Sequence, residues 1–194
     1  MQPLTVQDLW PAALYEGVRE QFRQEVIAAK KHRRVHVGPV MTLIFENRLT
    51  VKFQVQEILR AERVTGPEAV AEELAGFNEM LPDRNELSAT LMLELTGPEP
   101  EVATELRKLS GLSHHLFFEL RGERRAARFD PGRDDGRRIS AVQYVRFPMA
   151  ETRGILLDFA QPAHLVVDHP SYQHRTSLPE GVRRSLAADL DERA

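Results

Sequence analysis

Glu46 to Val64 reads ENRLTVKFQVQEILRAERV. Within it Val51, Val55, Ile58 and Leu59 recur at helical spacing and form one apolar stripe. Lys52, Gln56, Arg60 and Arg63 fall at steps of three and four on another face. Asn47 is a natural turn or cap residue and Thr50 a natural helix cap, so the helix is expected to run to about Val64. Just before it, Val35, Val37, Val40, Thr42, Leu43, Ile44 and Phe45 favour a strand, with Gly38-Pro39 marking a bend or an edge. A strand feeding a charged amphipathic helix is the unit around which the fold and any binding site are expected to be organised.

Upstream, residues 5–34 read as helix. Thr5 and Asp8 stand in capping-box positions, Trp10-Pro11 breaks or restarts the helix, and Leu14, Val18, Phe22, Val26 and Ile27 continue at helical spacing. The basic end, Lys30 to Arg34, complements the helix dipole. Downstream, Gly66-Pro67 stops one helix and starts another, Glu68 to Leu81. Glu86 to Leu95 is a strand, and Glu99 to Leu109 a short helix. His114–Leu120 and Arg124–Phe129 form a hairpin turning at Arg121-Gly122-Glu123. Asp130 to Arg138 is a charged loop. Ile139–Phe147, His164–Asp168 and Tyr172–Leu178 are strands. Glu151–Phe159 is a short helix, Pro179–Leu190 a final one, and Asp191–Ala194 is expected to fray. Closely spaced late strands joined by short turns predict an α+β fold, a mainly antiparallel sheet with helices packed on one side. At 194 residues it is expected to be a single domain, 1–194.

Composition bounds the function classes. The chain is 42% apolar and 28% charged, with a formal net charge of −3, which gives no global drive toward nucleic acid or anionic membranes. It has no cysteine, which excludes disulfides, thiolate zinc sites, a cysteine nucleophile and an iron–sulfur cluster on its own cysteines. No signal peptide and no apolar run long enough for a membrane span is visible, so a cytoplasmic protein is expected. Glycine-rich phosphate loops, dinucleotide fingerprints and the GxSxG elbow are missing. Residues 121–138 hold seven arginines against four acids, but without the interleaved aromatics on which single-strand binders stack bases.

KKHRRVHVGPVMTLIFENRLTVKFQVQEILRAERV (Lys30–Val64), PDRNELSATLMLEL (Pro82–Leu95), ISAVQYVRFP (Ile139–Pro148) and DHPSYQHRT (Asp168–Thr176) resemble the bacterial domain-of-unknown-function 3501 family. The resemblance runs in order over nearly the whole chain. It implies a place near redox or oxidative-stress metabolism, because genes of that family stand beside rubrerythrin-like and iron–sulfur oxidoreductase genes. A redox protein partner follows from the same association. No catalytic residue comes with the resemblance.

Three constellations carry candidate chemistry. Glu46, Arg48, Gln56, Glu57, Arg60 and Arg63 gather around the helix, where arginine forks suit a carboxylate or phosphate. The same residues can instead pair with one another as a structural network. Asn85-Glu86 at a strand mouth and Gln143 and Arg146 on another strand complete that site if they face the helix; otherwise they are a solvated sheet face. Asp168, His169 and His174 admit a non-haem divalent metal or an acid–base pair, against a turn histidine held by local hydrogen bonds. Three functions compete: an accessory protein binding a metal or an anionic small molecule, an enzyme with Arg60 or Arg63 as clamp and Glu57 or His169 as acid–base, and an interaction module using 121–138 or 30–34. The first is favoured. Its test is whether the Gln56, Arg60, Arg63 face meets Asn85-Glu86, the Gln143–Arg146 strand or Asp168-His169.

Overall fold

The computed structural model describes residues 1–150 and 152–191. Glu151, expected to open a short helix, and residues 192–194, expected to fray, lie outside the described residues. Two antiparallel sheets organise the rest. The first runs β1 (Arg34–Val37), β2 (Met41–Phe45), β3 (Glu86–Leu93), β7 (Val142–Pro148) and β6 (Arg128–Phe129) in spatial order. The second runs β5 (Glu123–Ala126), β4 (Leu116–Leu120), β8 (Ala163–His169) and β9 (Tyr172–Ser177). Alternation sends Leu87, Ala89, Leu91, Leu93, Val145 and Phe147 from the first sheet into one core with Phe118, Leu165 and Val167 from the second. Phe45, Phe118 and Phe147 meet there with ring centroids 5.6–6.3 Å apart.

The α+β class and the antiparallel pairing are as expected, and the strands form two sheets. One seam is a hand-over: the chain leaves β5 in the second sheet and enters β6 in the first across Ala127, whose N–H donates to Leu116 O at 2.9 Å. At the other seam the Tyr172 hydroxyl donates to Val37 O at 2.6 Å and accepts from Val40 N–H at 3.2 Å. The expected bend at Gly38-Pro39 is the turn of the β1–β2 hairpin. Gly38 has φ +72, and a Cβ there would lie 2.5 Å from both the Tyr172 hydroxyl and the His174 ring, so only glycine fits beneath the seam.

Helices occupy more than one side. α1 (Ala12–Lys30), α2 (Arg48–Ala61) and α3 (Pro67–Asn78) form a layer in which α2 packs against both of the others, and the segments flanking α2 and α3 join it to the outer, polar face of the first sheet. There Thr90 donates to Glu46, Ser88 to Met80 O, and Arg146 to Leu81 O. α4 (Glu99–Lys108) and α5 (Arg153–Leu157) are short connectors, whereas α6 (Glu180–Asp189) puts Val182, Leu186 and Ala187 into the inter-sheet core. Val51 and Val55 of α2 are fully buried, but with Leu4, Leu74 and Leu81 in a separate cluster under α3 and the N-terminal segment.

Several boundaries move for local reasons. Val6–Asp8 is a single 3-10 turn, and α1 starts only after Pro11. Asn47, not Thr50, caps α2. Its side chain accepts from Thr50 N–H at 3.1 Å while Thr50 Oγ1 accepts from Asn47 N–H at 3.0 Å. The basic run ends in Arg33, which is 2% exposed and buried against α6 rather than solvated at a helix terminus.

Candidate functional site

Glu46 leaves β2 pointing into the layer between the first sheet and α2. Its Oε1 accepts from Thr90 at 2.6 Å, and its Oε2 accepts from Thr50 and, at 3.1 Å, from Gln54. Three neutral donors thereby join a buried carboxylate to one strand and one helix, a fastening that fixes the roll of α2. Thr50 and Gln54 turn to Glu46 and the sheet, and the adjoining side of α2 turns to α1.

On that face Glu57 is the hub. Arg19 of α1 takes it with both fork nitrogens, Nε at 2.8 Å and Nη2 at 2.7 Å, and the Tyr15 hydroxyl donates to it at 2.8 Å. The Arg19 hydrogen bonds hold the Glu57 carboxyl below its ordinary range, with Tyr15 adding to the effect against the opposing cost of burial. Burial, reinforced by the Glu57 carboxylate, pushes the Tyr15 hydroxyl well up. Glu57 is therefore a fixed anion in the fold and a poor proton donor. A group whose folded pKa is depressed stabilises the fold above its ordinary value of 4.5 and loses that contribution as the pH falls through the folded value. Glu57→Gln is expected to lower stability by about 1–2 kcal/mol at neutral pH, discounted for partial exposure. It should also flatten the loss of stability between about pH 7 and about pH 3. Unfolding titrations at the two pH values check this, and an unchanged acid slope would contradict it.

Gln56, Arg60 and Arg63 border one cleft of about 530 Å³ between α1, α2 and the N-terminal segment. Gln56 is buried and spends its amide on the Trp10 backbone, accepting from Trp10 N–H at 2.7 Å and donating to Trp10 O at 3.3 Å. This clamp holds Trp10 in the wall, where Lys52 Nζ sits 3.6 Å from the indole centroid. The remaining wall is apolar: Val6, Leu9, Pro11, Leu59, Val64 and Val70. Arg60 Nε donates to Glu16 Oε1 at 2.7 Å at the rim. Arg48 is elsewhere, tying down the segment through Gln2 O, Pro3 O (2.8 Å) and Asp8 (2.7 Å).

The strand residues expected to complete this site do not reach it. Asn85 is a turn residue with φ +60 whose carbonyl accepts from Met149 N–H. Glu86 pairs with Arg128 and, at 3.5 Å, with Arg146. Arg146 also donates to Leu81 O and Glu79 O and borders a second cleft, about 910 Å³, with Glu79, Asp130, Arg133 and Tyr144 between α3 and β7. Gln143 lies on the opposite face of β7, buried, donating to Ser140 O (2.9 Å) and Arg133 O (3.1 Å). The expected joint site is thus divided: the roll of α2 set by Glu46 turns Gln56, Arg60 and Arg63 away from the sheet.

The candidate metal residues diverge as well. The β8–β9 register pairs Asp168 with Gln173, His169 with Tyr172 and Val167 with His174, so Asp168 is on the opposite face from both histidines. His169 contacts Ser110 O through Nε2 (3.0 Å) while its Nδ1 accepts from Ser171 N–H (3.2 Å), which occupies both ring nitrogens. It is held by one local contact and one distant one at the end of β8, with neither nitrogen left for a metal or a substrate proton. His174 packs against Tyr172 with the rings tilted and their centroids 4.4 Å apart. No group of three His, Cys, Asp or Glu among the described residues is placed to hold a metal ion. Asp168 instead orients His115, Nδ1 to Oδ1 at 3.0 Å, with Arg124 on its other oxygen at 2.7 Å. Spacing in the sequence contains no trace of that pair. The β4–β8 register, Leu116 opposite Val167, creates it. Tyr15, Arg19 and Glu16 escape a reading of the sequence for the same reason, as residues of α1 whose partners sit about forty positions away.

No helix among the described residues is long and apolar enough to cross a membrane. Comparison with curated proteins returns no match. A crystal structure of a novel protein of unknown function from Burkholderia pseudomallei K96243 is similar to this chain, with a TM-score of 0.89 and 30% identity over 98% of this chain and 100% of that one. The model of the family described as "Protein of unknown function (DUF3501)" matches residues 3–190, and the chain belongs to that family.

Proposed function

We propose that this protein is an accessory binding protein for a small organic anion with an apolar body, held in the cleft between α1, α2 and the N-terminal segment. One observation carries the reading: an apolar hollow of about 530 Å³ has the guanidinium groups of Arg60 and Arg63 at its rim. Its volume is in the range of small-molecule sites, which are mostly apolar with a few placed polar groups that fix orientation. The accessory role near redox metabolism, with a redox protein as partner, rests on the family resemblance alone. Neither Glu57, a fixed ion-paired anion, nor His169, with both nitrogens engaged, supports the enzyme alternative.

Trp10 is the sole tryptophan and stands in the cleft wall, so intrinsic fluorescence reports occupancy without background. Decanoate is expected to change that emission saturably. An Arg60→Gln/Arg63→Gln variant, checked for folding by circular dichroism, is expected to bind it at least about tenfold more weakly, as loss of charge-assisted hydrogen bonds implies. No fluorescence or calorimetric response to decanoate in the unaltered protein would end the reading, as would equal affinity in the double variant.

A further inference from the structure

The charges at the rim say more about the ligand, and this step rests on the binding reading above. Arg60, Arg63 and Glu16 all border the cleft. The Arg60–Glu16 pair is 2.7 Å long, with both side chains about half exposed, so it is a contact of little net strength that a stronger anion can exchange. Arg63 has neither an ion pair nor a side-chain hydrogen bond among the described residues. Two guanidinium groups against one carboxylate leave a single positive charge for the ligand.

The backbone supports the same assignment. α2 ends in a Schellman motif: Val64 N–H donates to Leu59 O at 3.0 Å and Arg63 N–H to Arg60 O at 3.4 Å. The residue at its left-handed position is Arg63, φ +53, where glycine is favoured because it has no Cβ to strain. A strained arginine at a cleft mouth, with its charge uncommitted, is the pattern of a residue kept for binding rather than for folding.

We infer that the ligand is a monocarboxylate whose head group binds Arg63 and takes Arg60 from Glu16. Glu16 is the internal counter-anion of the site and discriminates against dianions. The test compares decanoate, decyl phosphate and decanol on the full chain, by Trp10 fluorescence and calorimetry. The unaltered protein should bind decanoate more tightly than either of the others. Glu16→Gln should tighten decanoate about threefold to fivefold and decyl phosphate by more. Arg63→Gly should raise the unfolding midpoint, because it relieves the strain, while weakening decanoate about tenfold. That opposite movement separates a lost contact from misfolding. The inference is overturned if decyl phosphate is preferred by the unaltered protein, if Glu16→Gln changes neither affinity, or if Arg63→Gly binds decanoate normally. Should none of the three probes bind, the binding reading itself fails and takes this inference with it.

Discussion

Replacing Arg33 by methionine is expected to lower the free energy of unfolding by about 3–5 kcal/mol, read from a urea titration. Arg33 is 2% exposed and its five donors are spent on two distant parts of the chain. Nε donates to Phe45 O at 2.8 Å and Nη2 to Glu46 O at 3.0 Å, where β2 hands over to α2. Nη1 reaches Ser185 at 2.9 Å and Asp189 at 3.2 Å on α6, and Nη2 pairs with the second Asp189 oxygen. Methionine fills much of the volume but takes the guanidinium fork away from the buried Asp189 carboxylate and from two carbonyls. The penalty comes mainly from weakening the compensation of a buried carboxylate, since an intact buried pair adds little net stability over an apolar replacement. The double change Arg33→Met/Asp189→Leu should therefore recover part of the loss. A single-variant effect below about 1 kcal/mol would show that the pair does not hold α6 to the sheet.

Arg183→Leu is expected to be the other severe change, at about 3 kcal/mol or more. The Arg183 guanidinium sits in the concave end of α5 and donates to four backbone carbonyls, Leu156 O, Gln161 O, Ile155 O and Asp158 O, all at 2.8–2.9 Å. α5 is a five-residue helix, too short to satisfy its own last carbonyls, so the arginine serves as its C-terminal cap. Burial pushes the guanidinium below its ordinary value, opposed by the nearby Asp158 and Glu180 carboxylates. Ile155 O and Asp158 O keep the N–H groups of Asp158 and Gln161, but leucine leaves Leu156 O and Gln161 O without a donor, and each buried unsatisfied group costs about 1–3 kcal/mol, though not additively. Lysine should rescue only partly, because a point charge cannot reproduce the planar fork. Hydrogen exchange should show residues 153–161 opening first. A leucine variant with native stability and unchanged exchange there would refute the capping role.

These two arginines show where reading the sequence alone stops. Arg33 stands in KKHRR, and a basic run after a helical pattern is expected to complement the helix dipole. Lys30, Lys31 and Arg34 are compatible with that, while Arg33 is taken inward by a carboxylate 156 positions away. Arg183 sits in an amphipathic helix where it reads as one more surface cation. In both cases the deciding partner is a backbone carbonyl or an acid brought in by topology, and neither leaves a mark on local spacing.

The candidate cleft has the same division. Helical period puts Gln56, Arg60 and Arg63 of α2 on one face, and the structure places all three on one cleft. Period cannot say what faces them. Glu46, anchored to Thr90, sets the roll of the helix, and that roll points the face at Glu16, Leu9 and Trp10 instead of at Arg146 or Asp168.

From residue order alone came the α+β class, the antiparallel preference of the late strands, the amphipathic α2 with its two faces, and the exclusion of cysteine chemistry. All of these depend on side-chain period, turn residues or composition, which act over a few positions or need no geometry at all. The division of the strands into two sheets, the stitching of their edges by Tyr172 and Ala127, the inward turn of Arg33, and the His115–Asp168 pair were decided by the tertiary structure. Each depends on register and packing between segments far apart in the chain, where the free energy is gained only once the whole core has closed.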